Sequence, residues 1–74
     1  MALDNKIKTL QKTFEIRAEL SDLHWHWDML IKLEQAHVDE EEYEKAQIAL
    51  MQRATIRRRI SKLEKQLKKY EDTL

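Results

Sequence analysis

The segment Val38–Tyr43, with the sequence VDEEEY, decides how this 74-residue chain folds, because it carries the signals that begin a second helix. Asp39 fits the N-cap position, and Glu42 lies three residues later, where its carboxylate completes a capping box. Val38 and Tyr43 occupy the two positions of a hydrophobic staple. The glutamates between them lie in the first turn, where the helix dipole favours negative charge. The sequence therefore predicts a helix that begins at about residue 40.

The chain on both sides of this segment contains nothing that breaks a helix, since the sequence has no Gly and no Pro. We expect an all-α fold in one domain, residues 1–74, with helix 1 at about 4–35, a connector at about 36–39 and helix 2 at about 40–73. Neither Gly nor Asn closes helix 1, so one continuous helix through Ala36 is the alternative.

Helix 2 carries a heptad seam, a series of residues spaced alternately by three and four positions. Its members are Ala46, Ala49, Arg53, Ile56, Ile60, Leu63, Leu67, Tyr70 and Leu74. On helix 1 we assign the facing seam to Leu3, Ile7, Leu10, Phe14, Ala18, Ser21, Trp25 and Met29. Antiparallel pairing of the two series places Leu3 opposite Tyr70. The sequence thus predicts an antiparallel two-helix hairpin that resembles a coiled coil.

Each seam has one polar interruption, and the predicted register brings the two together. Ser21 of helix 1 meets Arg53 of helix 2 in this register. A polar layer in an apolar seam fixes the alignment of two helices at a cost in stability. We expect Arg53 to pair there with Asp22 or Asp28.

Apolar residues remain after the two seams are assigned, and they cluster in the half of the hairpin next to the connector. We predict that this surplus forms a partner-binding surface, which consists of Ile16, Leu20, Leu23, Trp27, Leu30, Ile31, Tyr43, Leu50 and Met51. Trp27 and Tyr43 are the expected anchors, because Trp and Tyr are enriched at binding hot spots. A two-helix hairpin has no third element to cover such a surface. We expect a homodimer that completes a four-helix bundle, or docking on a larger protein.

A run of basic residues in helix 2 supports an alternative function, a dimeric nucleic-acid-binding regulator. Its candidate contacts are Arg57, Arg58, Arg59, Lys62, Lys65 and Lys69. The competing interpretation is a solvated, salt-bridged face, because the hairpin brings Glu15, Glu19 and Asp22 alongside the three arginines. The formal net charge of zero also argues against a general nucleic-acid binder.

The stretch His24-Trp25-His26-Trp27-Asp28 is the most unusual in composition, but its spacing does not suit a metal site. His24 and His26 are two positions apart and point to nearly opposite sides of a helix. The sequence lacks a catalytic constellation of nucleophile, base and cleft, and it has no Cys. We therefore predict no enzyme, no catalytic residue, no metal, no cofactor and no small-molecule substrate.

The composition predicts where the protein works and what class of function it has. No apolar run approaches the roughly 20 residues that a membrane span needs, and no apolar signal-peptide core follows Met1. We expect a cytoplasmic protein without membrane contact. The predicted function is a non-enzymatic protein-binding module, such as a small adaptor, chaperone, regulator or inhibitor.

Overall fold

The computed structural model describes residues 2–74, which form two α-helices, α1 (Ala2–Asp39) and α2 (Tyr43–Asp72). The helices lie antiparallel in a rod of 59 × 14 × 12 Å. The length of the rod is that of α1, which has 38 residues and rises about 1.5 Å per residue. The prediction of an all-α antiparallel hairpin is confirmed. The helix does continue through Ala36, but a turn at residues 40–42 ends it, so the alternative of one continuous helix is wrong.

A Schellman motif closes α1 without the glycine that usually allows it. The backbone N–H of Glu42 donates to the carbonyl of His37 at 2.7 Å, and that of Glu41 donates to the carbonyl of Val38 at 3.0 Å. Glu41 has a φ of 60°, in the left-handed region. A chain without Gly places a residue with a Cβ there, at a cost of about 1 kcal/mol or more.

The predicted capping box at the start of helix 2 is therefore wrong. Asp39 is the last residue of α1, and its carboxylate accepts a hydrogen bond from the side chain of Gln35 at 3.0 Å. Glu42 takes the N-cap position of α2, without a side-chain cap hydrogen bond. The backbone closure of α1 uses the residues that are expected to begin α2, so the N-cap of α2 lies three residues later than the capping pattern indicates.

The hairpin core confirms the seam of helix 2 and contradicts that of helix 1. Buried and half-buried side chains pack together in one cluster, which consists of Ile16, Leu20, Leu23, Ile56, Ile60, Leu63, Leu67 and Tyr70. Ala46 and Ala49 of α2 are also buried, and Leu74 is exposed. The residues assigned to the helix 1 seam are all exposed on the opposite side of α1: Leu3, Ile7, Leu10, Phe14, Ala18, Ser21, Trp25 and Met29.

The spacing of the two faces explains which one α2 covers. The inward positions of α1 step alternately by four and three, as those of α2 do, and they are Thr9, Thr13, Ile16, Leu20, Leu23, Trp27, Leu30, Glu34 and His37. The exposed series repeats instead in steps of three, four and four, a period of 11 residues. Two helices that pack along their whole length need the same period. The heptad face is therefore buried although it includes polar residues, of which Thr13 donates its hydroxyl proton to the carbonyl of Leu10 at 2.7 Å.

The register follows from the position of the turn. Glu19 accepts hydrogen bonds from Arg59, and Arg17 pairs with Glu71 at 2.7 Å. These contacts lie farther along α2 than the predicted register allows, because the turn is centred on Glu41 rather than on residues 36–39. Since α1 has 38 residues and α2 has 30, the first two turns of α1 project beyond the end of α2.

The predicted polar layer of Ser21 and Arg53 does not form. Ser21 is exposed on the far side of α1. Arg53 pairs instead with Glu34 at 3.2 Å, so the expected partners Asp22 and Asp28 are wrong. Its guanidinium also lies over the Trp27 ring, 5.2 Å from the centroid, in a cation–π contact.

Neither α1 nor α2 contains an apolar stretch long enough to cross a bilayer over residues 2–74.

Candidate functional site

A row of large exposed apolar side chains lies on the outer face of α1, the side that points away from α2. This face comprises Leu3, Ile7, Leu10, Phe14, Ala18, Ser21, Trp25 and Met29. Phe14 and Trp25 expose 62% and 61% of their surface, and Leu3 exposes 69%. The face extends over 27 residues, from Leu3 to Met29, or about 39 Å along the helix axis. Contiguous exposed apolar patches of this size mark interaction sites in proteins.

A second apolar feature, the interhelical groove, opens between α1 and α2 in the half of the rod next to the turn. Its volume is about 520 Å³, and its lining residues are His26, Met29, Leu30, Leu33, Gln52, Thr55 and Ile56. Gln52 and Thr55 also line an adjoining depression with Ile48 and Met51, which are 57% and 64% exposed. Met29 belongs to both the groove and the outer face of α1, so the two surfaces are continuous.

The predicted partner-binding residues fall into two groups in the structure. Five of them lie inside the hairpin: Ile16 and Leu20 are buried, and Leu23, Trp27 and Leu30 are half-buried. The prediction that these five form an exposed stripe is wrong, because the heptad period turns them towards α2. The other four are exposed by 37–64%: Ile31, Tyr43, Leu50 and Met51. The outer face of α1 is exposed instead, and it consists of the residues that the sequence assigns to the seam of helix 1.

The total accessible surface shows how much the hairpin leaves uncovered. The chain exposes 6073 Å² for a mass of 9.0 kDa. A globular monomer of this mass exposes about 4,900 Å², so the excess is about 1,200 Å². Its radius of gyration of 17.0 Å likewise exceeds the value of about 11 Å for a compact domain of this length. An interface of standard size removes about 800 Å² from each partner, so the uncovered surface suffices for one.

Charge is segregated along the rod, although the net charge is zero. The turn end, residues 34–45, contains six acidic residues and only Lys45 as a base. The opposite end, residues 2–12 and 62–74, contains seven lysines and four acidic residues. The molecule is therefore an elongated charge dipole.

A small ion-pair network at the turn perturbs two carboxyl groups. Glu42 pairs with Lys45 at 2.6 Å and approaches the imidazole of His37 at 3.5 Å. Hydrogen bonds from Lys45, and then from Glu40, lower the pKa of Glu42 to about 2. The hydrogen bond to Glu42 and the negative charge of Glu42 raise the pKa of Glu40. Lys45 has a raised pKa, because Glu42 accepts its hydrogen bond. The lowered pKa of Glu42 and the raised pKa of Glu40 thus act in opposite directions on the stability of the turn.

The six candidate nucleic-acid contacts of α2 do not share one environment. The guanidinium of Arg59 donates to Glu19 at 3.0 and 2.9 Å, which confirms that Glu19 lies alongside the arginine cluster. Arg57 lines a small cavity with His24, Trp27 and Ile60 on one side of the hairpin. The other four, Arg58, Lys62, Lys65 and Lys69, are exposed and, like Arg57, form no ion pair with any carboxylate of residues 2–74.

The two histidines next to the tryptophans do not form part of a metal-binding cluster. Across residues 2–74, no three His, Cys, Asp or Glu side chains come together in a way that could hold a metal ion. His26 instead packs edge-to-face with Trp25, with ring centroids 5.2 Å apart, at the rim of the interhelical groove.

Comparison with known protein families, with curated proteins and with solved structures finds no match to this chain. The functional proposal therefore depends on the surfaces described above.

Proposed function

We propose that this chain is a non-enzymatic protein-binding module whose binding surface is the outer face of α1, and that a second copy of the chain occupies this face. The observation that carries the proposal is the row of large apolar side chains exposed along one side of α1. Together, the two copies form a four-helix assembly in which the α1 helices are central and the α2 helices are peripheral. Such an assembly suits an adaptor, chaperone, regulator or inhibitor that presents its outer surfaces to a target.

The area of the face is sufficient for such a dimer. Six large apolar side chains line it, each at least 42% exposed. Burying a whole side chain of this kind stabilises by about 1.5–3 kcal/mol, so each half-exposed one contributes about 1 kcal/mol and the two copies together about 12 kcal/mol. Association costs about 4–15 kcal/mol in lost freedom, so we expect a dissociation constant in or above the micromolar range unless the groove contributes.

The charge dipole and the shape of the rod favour an antiparallel dimer. With Leu3 of one copy facing Met29 of the other, antiparallel packing places the acidic turn end of one copy just past the lysine-rich end of the other, whereas parallel packing places like charges together. It also places the projecting first turns of one α1, with Leu3, beside Met29 and the interhelical groove of the second copy. The unpaired end of one copy thereby covers the open groove of the other.

The test is the absolute mass, measured by light scattering across a concentration series. We expect the mass to rise towards twice the monomer value of 9.0 kDa as concentration increases. Phe14→Glu together with Trp25→Glu should give a helical monomer at every concentration. The matched control is Gln47→Glu with Ser61→Glu, which adds the same charge at exposed positions of α2 and should still dimerise. A wild-type chain that stays monomeric, or a face variant that dimerises as well as the control, would contradict the proposal.

The absence of Cys from the sequence allows the orientation to be measured in the same experiment. Spin labels on Ala36→Cys, an exposed position near the turn, lie about 60 Å apart in the antiparallel dimer, at 1.5 Å per residue from a centre near residue 16. In a parallel dimer, the labels are neighbours on adjacent helices, whose axes lie about 10 Å apart. A short distance would exclude the antiparallel arrangement.

A further inference from the structure

We infer that the outer stripe of α2, formed by Arg58, Lys62, Lys65 and Lys69, binds the phosphates of double-stranded nucleic acid. These residues step by four, three and four positions, which places them on one face of α2. The stripe is about 17 Å long at 1.5 Å per residue. All four side chains are exposed.

The structure separates these cations from the ones that stabilise the hairpin. Arg53 forms an ion pair with Glu34, Arg59 with Glu19, and Arg17 with Glu71. A stripe that served only as a salt-bridged surface would show the same pairing. Its four members instead have no ion pair among the described residues, and successive members lie within about one Debye length at 0.1 M salt, so their potentials add.

The composition of the stripe points to a duplex rather than to a single strand. Residues 58–69 contain no aromatic side chain. Proteins that bind single strands stack the bases on aromatic rings, whereas phosphate contacts from Lys and Arg supply non-specific binding to duplexes. We therefore expect binding that does not depend on the base sequence.

The stripe is separate from the outer face of α1, although Lys62, Lys65 and Lys69 belong to the lysine-rich end and Arg58 also lines the depression beside the interhelical groove. The outer face of α1 and the outer stripe of α2 lie on different helices, and in the four-helix assembly the α2 helices are peripheral. Each copy of a dimer therefore presents its own stripe, and a monomer would present one as well. Failure of the dimer proposal leaves this inference standing, because mass and nucleic-acid affinity are measured separately.

The experiment measures binding to a fluorescent duplex of about 20 base pairs by anisotropy at several salt concentrations. With four phosphate contacts, the logarithm of affinity should fall with the logarithm of salt concentration with a slope of about −3.6. Affinity should therefore drop by more than about 100-fold between 50 and 200 mM salt. A wild-type chain with no binding at the lowest salt concentration, or with a slope near zero, would overturn the inference.

Charge reversal locates the site. Arg58→Glu should weaken binding at least about tenfold, while Lys32→Glu, which changes the net charge equally at an exposed position of α1 outside the lysine-rich end, should leave affinity within about threefold. Equal loss in both variants would show a general charge effect and refute the stripe. Tighter binding to a single strand, or binding to phosphatidylserine vesicles without binding to the duplex, would refute the duplex assignment. Circular dichroism and light scattering on the same samples show that fold and mass are unchanged.

Discussion

Two leucines on opposite faces of α1 offer a direct test of which face packs against α2. Leu20 is 9% exposed and belongs to the hairpin core, whereas Leu10 is 42% exposed on the outer face. The change to Ala removes the same atoms in both cases. The two variants therefore differ only in the surroundings that those atoms lose.

Leu20→Ala should cost about 2–4 kcal/mol, because a buried Leu loses its transfer free energy and leaves a cavity that the core fills only in part. A chain of this length has a total stability of about 4–11 kcal/mol. The melting temperature of the variant should fall by about 8–32 °C, at about 4–8 °C per kcal/mol for a domain of this size. Leu10→Ala should cost less than about 1 kcal/mol in the monomer, since nearly half of its side chain is already in water.

The assay is urea unfolding followed by far-ultraviolet circular dichroism at two protein concentrations. At the lower concentration the chain is monomeric, and only Leu20→Ala should shift the midpoint strongly. At the higher concentration Leu10→Ala should lose the extra stability that dimerisation gives to the wild-type chain, because association stabilises the folded state by mass action. A larger loss for Leu10→Ala than for Leu20→Ala at the lower concentration would refute the assignment of the faces.

The remaining predictions concern the turn. Glu41→Gly should leave the free energy of unfolding unchanged or raise it by up to about 1 kcal/mol, because relief of the left-handed strain offsets the greater freedom of the unfolded chain. Glu41→Val should instead cost about 1–2 kcal/mol, measured by urea unfolding. The lowered pKa of Glu42 means that its pairing with Lys45 stabilises the fold above about pH 4.5 and is lost as the pH falls towards 2. Unfolding measured across this range should depend less on pH in Glu42→Gln. Glu40→Gln should not reduce this pH dependence, because the raised pKa of Glu40 acts in the opposite direction. Equal pH profiles for the wild-type chain, Glu42→Gln and Glu40→Gln would contradict the network.

The hairpin and the seam of α2 could be predicted from the sequence, because both depend on local signals that agree with one another. The acidic segment marks the end of one helix and the beginning of the next, and the seam of α2 has a single dominant period. The location of the turn could not be predicted to the residue. Three consecutive glutamates offer three candidates for the left-handed position that Gly usually marks, and the structure places Glu41 there.

The facing side of α1 was predicted wrongly because composition and period disagree on that helix. The outer face has more large apolar residues, whereas the inward face includes Thr9, Thr13, Glu34 and His37. The predicted pairing, which places Leu3 opposite Tyr70, does not decide between the two faces. When one helix is shifted by seven residues along the other, every side chain returns to the same face, so several registers pair the two stripes equally well. The signal that does decide is the step pattern, because only the inward face of α1 matches the heptad of α2.

The two periods of α1 also explain how its outer face reaches the interhelical groove. Packing against α2 requires 3.5 residues per turn, whereas the outer series repeats every 11 residues, or 3.67 per turn. Relative to α2, the outer face therefore turns around the rod by about 50° for every 11 residues. It lies away from α2 at Phe14 and reaches the side of the rod at Met29, where that side chain lines the groove with Thr55 and Ile56 of α2. A helix that follows the outer face along its whole length must therefore contact both helices at the end near Met29. In the proposed interface α2 thus takes part through the side of the rod, although its own seam, apart from Leu74, packs inside the hairpin.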